Sequence, residues 1–79
     1  MEAHQVRVVE EQVALIIKTD KLVGFITSNS NEYKGLPLEE KERLSAQLFH
    51  MRRYTSILRD RIHYFKTIER AAEEAVSAE

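Results

Sequence analysis

The chain has no cysteine, one proline, two glycines and no apolar run longer than five in its 79 residues. Without cysteine there are no disulfides, no thiol nucleophile and no cysteine-based zinc site. So little glycine and proline argues against an all-β sandwich, which needs frequent turn residues. A hydrophobic content of 43% is too high for a disordered tail. The longest apolar stretch, Val13–Ile17, falls far short of the ~20 residues of a membrane span. A large charge excess is missing too: twelve basic against thirteen acidic residues leave −1 overall. Bulk charge therefore does not drive adsorption to a membrane, and nucleic acid is disfavoured as a partner. Met1–Gln5 lacks the basic and apolar regions of a signal peptide, so a cytoplasmic protein is expected.

What is present has helical period. The one strong interruption lies between Ser28 and Pro37, where Ser28-Asn29-Ser30-Asn31 is followed by Gly35 and Pro37. Before it, Val8, Leu15, Leu22 and Phe25 form a stripe that Lys18 completes, and Val9, Val13, Ile16 and Val23 form a second beside it. After it, Leu44, Leu48, Met51, Thr55, Leu58, Ile62 and Phe65 step 4-3-4-3-4-3, the repeat of a coiled-coil seam. The expected fold is all-α: one domain over 1–79, a long antiparallel hairpin of helices at about 6–28 and 37–76. A connecting turn spans 29–36, with one helical turn at Asn31–Lys34, and a frayed tail covers 77–79.

The two arms are unequal. At 1.5 Å per residue they span about 34 and about 58 Å, so the second should overrun the first by roughly ten to fifteen residues. That overrun would leave Tyr64, Phe65, Ile68, Ala72 and Val76 uncovered, along with the second stripe of the first arm. A hairpin has one internal seam and this chain carries apolar residues for more than one. A homo-oligomer is therefore expected, with Val9, Val13, Ile16, Tyr64 and Ile68 at its interface.

Catalytic chemistry finds little footing. His4, His50 and His63 never fall at the spacing that puts two imidazoles on one helix face, so no metal site or other cofactor is expected. No phosphate loop, dinucleotide fingerprint or nucleophile elbow is present, and adjacent carboxylates such as Glu39-Glu40 point to different azimuths. The protein is expected not to be an enzyme. The charge pattern says more than the total. Residues 50–70 hold six cations against two anions, so the acidic excess lies elsewhere. Arg52, Arg53, Tyr54, Arg59, Arg61 and Lys66 combine guanidinium and ammonium groups with an aromatic ring, the ingredients for holding an anionic ligand with a flat ring. The commoner use of such arginines is to flank a seam and pair with glutamates of a neighbouring chain.

Arg7-Val8-Val9-Glu10-Glu11, Leu15, Lys18, Leu22, Phe25-Ile26, Tyr33, Leu36-Pro37, Glu42, Gln47-Leu48, Met51, Tyr54, Ile57-Leu58 and Arg61-Ile62 resemble a family of very short helical proteins of tailed bacteriophages, crAss-like phages among them. The likeness covers Val6 to Phe65; the segment from Lys66 looks like an addition, and Ile16-Ile17 stands where a charged pair is more usual. It implies a phage accessory protein that counters host defence in the host bacterial cytoplasm. The implied mode is sequestration of a small nucleotide immune signal, such as a cyclic oligonucleotide or an ADP-ribose derivative, in an oligomer. Two alternatives stand beside it: a protein-protein inhibitor of a host defence enzyme, and a purely structural coiled-coil module.

Overall fold

The computed structural model describes residues 1–77. Three helices follow one another: α1 (Ala3–Thr27), α2 (Asn31–Lys34) and α3 (Leu38–Ser77). Helix α1 begins earlier than its apolar stripe. The Glu2 N–H donates to Gln5 Oε1 at 2.9 Å, and the Glu2 carbonyl accepts from the Gln5 and Val6 N–H groups, so the first turn is capped. At the other end the Ser28 and Thr27 hydroxyls donate to the Phe25 and Val23 carbonyls, and Asn29 takes a left-handed φ of 58° that stops the helix. The Ser30 hydroxyl then accepts from the Tyr33 N–H and caps α2. The Pro37 carbonyl accepts from Glu40 and Lys41 and opens α3, where a missing proline N–H costs nothing. Lys41 folds back over the Tyr33 ring, which meets Phe25 edge-on at 5.6 Å. The tip is thereby closed over the seam. Ser77 belongs to α3, and the rest of the expected frayed tail lies outside the described residues.

Helices α1 and α3 run antiparallel as a hairpin, 65 Å long and only 18 × 15 Å across. Its radius of gyration is 18.5 Å, against about 12 Å for a compact domain of this length. Two layers of helix enclose little. Among the described residues, Val8, Leu58 and Ile62 are the buried apolar ones, with Val9, Leu15 and Phe65 packed against them. The stripe of α1 that faces α3 passes through Thr19, not Lys18: Thr19 is buried and Lys18 exposed. From Leu15 the seam steps four residues to Thr19 and three to Leu22, and the Thr19 hydroxyl is satisfied by the Leu15 carbonyl at 2.7 Å.

The register corrects two expectations. The Met1 ammonium lies 3.6 Å from the Glu69 carboxylate, and His4 meets Phe65 edge-on at 6.3 Å. Helix α1 therefore reaches as far as Glu69, and the overhang is confined to the residues beyond it. Phe65 is half-buried in the hairpin, while Tyr64 and Ile68 are exposed because of their azimuth on α3. Val9, expected to lack a partner in its own chain, packs on the core cluster.

Candidate functional site

Residues seven apart share a helix face. Arg52, Arg59 and Lys66 stand at that spacing on one flank of α3, with Ser56, His63 and Arg70 between and beyond them. Helix α1 supplies the facing wall from Gln12, Ile16 and Asp20. The two walls bound an open cavity of about 280 Å³, with Ile16 and Asp20 on one side and Arg52, Ser56 and Arg59 on the other. Its floor is Thr19 and Thr55, whose hydroxyls are already committed to the Leu15 and Met51 carbonyls. The floor hydroxyls are thus already satisfied, and the polar groups left around the cavity are the Arg52 and Arg59 guanidiniums, the Ser56 hydroxyl and the Asp20 carboxylate. Arg59 Nη2 lies 3.4 Å from Ser56 Oγ, a long contact that leaves most of its guanidinium free.

Electrostatically the groove is one-sided. Among the described residues no carboxylate lies within ion-pair distance of Arg52, Arg59 or Lys66; the ion pairs are Met1–Glu69 and Arg43–Glu40, and the His4 ring lies 3.4 Å from the Glu2 carboxylate. Asp20 is the single acidic side chain on the cavity wall. Arg52 and Arg59, with no carboxylate partner beside that floor, suit an anion carrying a flat apolar portion, and Lys66 continues their row past the cavity. The cavity's volume, just under the range of ordinary small-molecule pockets, takes one such group.

The six candidate ligand contacts are divided by the fold. Arg52, Arg59 and Lys66 come together on the groove flank. Tyr54 and Arg61 lie on the opposite flank, since Tyr54 is about 200° round the helix from Arg52. There the Tyr54 hydroxyl donates to Glu11 Oε1 across the two helices. That hydrogen bond to a carboxylate pushes the Tyr54 phenol above its ordinary pKa; desolvation and the Glu11 charge add to the shift, and Arg61 opposes it. Arg53 lies on neither flank and is turned outward. Of the candidate interface residues, Val13, Ile16, Tyr64 and Ile68 are 52, 39, 62 and 48% exposed. Val13 and Ile16 border the groove side of α1, whereas Tyr64 and Ile68 continue the Tyr54 flank of α3. Gln12, Asp20 and the wall role of Ile16 are additions that depend on the register between helices; the spacing of Ile16 and Asp20 by four residues was the one available signal.

The profile of the Sequestin family matches residues 2–64, four-fifths of the chain. The chain belongs to the Sequestin family. No curated protein and no solved structure matches it. The Sequestin match takes in the whole of α1, the tip, and α3 as far as Tyr64, so it includes both walls of the 280 Å³ cavity. It stops before Lys66 and Arg70.

Proposed function

We propose that this Sequestin-family protein sequesters a small anionic ligand of nucleotide type and does so without catalysing a reaction. The observation that carries the reading is the pair of cations free of carboxylate partners, Arg52 and Arg59, on the rim of an apolar-floored cavity. The family's name, which speaks of sequestering, supports it. Cavity-lining groups of binding type, guanidiniums beside committed hydroxyls, support a holding role over a catalytic one. The proposed setting is the host bacterial cytoplasm, with the protein acting as a phage accessory that withdraws a nucleotide immune signal. The likeness to short phage proteins supports that setting, and none of the described helices is long and apolar enough to cross a membrane.

The proposal includes a homo-oligomer. The chain exposes 6200 Å², against about 4,900 Å² for a compact monomer of its mass. The excess is larger than the ~800 Å² per partner of a standard interface. Val13, Ile16, Tyr64 and Ile68 are the apolar surface to be covered. The second reading, an inhibitor of a host defence enzyme, draws on the exposed Ile57, Tyr64 and Ile68 stripe, which a foreign protein could cover instead.

Calorimetry against cyclic dinucleotides, ADP-ribose and AMP tests the first reading. Heat of binding is expected for at least one of them, lost on Arg59→Gln with helicity unchanged. No binding by any at roughly hundreds of micromolar overturns it.

A further inference from the structure

The cationic flank does not end at the cavity. A second hollow of about 250 Å³ is lined by Gln12, Arg59, Ile62, His63 and Lys66, and a third of about 170 Å³ by His63, Lys66, Thr67 and Arg70. Arg59 belongs to the first and second hollows, and His63 and Lys66 to the second and third, so the three form one trough. From Arg52 to Arg70 it runs eighteen residues of helix, about 27 Å. One phosphate group held at Arg52 and Arg59 leaves Lys66 and Arg70, seven and eleven residues further on, without a partner.

Two observations argue that these last cations are kept free. Glu69, the acidic residue placed between Lys66 and Arg70 in sequence, is turned to the seam and engaged by the Met1 ammonium at 3.6 Å. Glu73 and Glu74, one turn beyond Arg70, form no ion pair with Lys66 or Arg70 and mark where the row stops. Like charges four residues apart disfavour a helix, as Lys66 and Arg70 do here, unless an anion lies between them. The Thr67 hydroxyl donates to the His63 carbonyl at 2.9 Å, so the donors left to face an anion in this hollow are Lys66, Arg70 and the His63 ring.

We infer that His63, Lys66 and Arg70 form a second anion subsite, so that the trough takes a ligand with several phosphates strung out from a base seated against Ile16, in preference to a mononucleotide. This rests on the nucleotide-sequestering reading above and adds to it the ligand's length and the direction in which it lies. It also assigns a role to α3 residues beyond the family match, which ends at residue 64.

The test compares AMP with a linear 5′-phosphorylated triadenylate by calorimetry at fixed salt. The triadenylate is expected to bind at least about tenfold more tightly, as one extra charge-assisted contact provides. The double variant Lys66→Gln/Arg70→Gln should remove that advantage and leave AMP affinity within about twofold. Both side chains are exposed, so the variant should keep its helicity, checked by circular dichroism. Arg53→Gln, a cation removed from the outer face, should alter neither affinity. Equal affinities in the unaltered protein, an advantage that survives the double variant, or an equal loss with Arg53→Gln overturns the second subsite. Failure of both ligands while ADP-ribose or a cyclic dinucleotide binds overturns the second subsite alone; failure of all of them overturns the nucleotide reading itself.

Discussion

Replacing Leu58 by alanine probes the one position among the described residues where the hairpin is completely closed. Leu58 is 0% exposed and is surrounded by Val8 and Ile62, with Val9, Leu15 and Phe65 around them. The substitution removes three carbons; at about 0.8 kcal/mol per buried CH₂ the transfer loss is about 2.4 kcal/mol. The hole left behind adds to that, for a total of about 3 kcal/mol, inside the ~2–5 range of buried leucine truncations. A chain of this size has only about 4–12 kcal/mol to lose. Among the described residues only Val8 and Ile62 are buried apolar side chains beside Leu58, which leaves little reserve. Thermal unfolding followed by circular dichroism should therefore shift by about 12–24 °C. Protein concentration is held fixed, because association would make the midpoint concentration-dependent. Lys18→Ala, one azimuth off the seam and exposed, is the matched control and should cost under about 0.5 kcal/mol. A Leu58→Ala loss below about 0.5 kcal/mol, or a Lys18→Ala loss of similar size to it, would refute the register of the seam.

Ile16→Glu places a charge on the apolar face of α1 and in the cavity wall, so it should lower the sedimenting mass and weaken nucleotide binding together; an unchanged mass at roughly 50 µM argues against an interface there. Asn29→Val should destabilise by about 1–2 kcal/mol, because a β-branched residue resists the left-handed φ, whereas Asn29→Gly should be neutral or stabilising in chemical denaturation. The Tyr54 phenol should ionise above the usual ~10, seen by ultraviolet absorbance titration, and Tyr54→Phe should remove that component. Because the folded-state pKa is raised, the stability linked to this proton is present below about pH 10 and is lost as pH rises through the folded value; a denaturation midpoint that rises with alkalinity there would contradict the Tyr54–Glu11 bond.

Helix type and the place of the reversal were legible in the residues because both depend on neighbours within one turn. Leu44 to Phe65 repeats at the period of a seam, and Ser28 to Pro37 holds side chains that bond local backbone or forbid helix. The basic row of α3 was legible for the same reason: one helix sets the azimuth of its own residues. Beyond one helix the sequence was mute. Lys18 and Thr19 are adjacent in the chain, and only the crossing of α1 against α3 decides that the threonine, able to satisfy its hydroxyl on Leu15, enters the seam. Sequence proximity likewise joined Tyr54 to Arg52 and Arg53, yet 100° per residue sends the three to different sides once the seam fixes which way is in. The reach of α1 to Glu69, which covers Phe65 and leaves the cations beside it free, comes from long-range contacts of Met1 and His4 that no local period encodes. Composition and spacing determined a helical hairpin with a charged flank. The register between its two helices decided which wall that flank faces, and so where a ligand can lie.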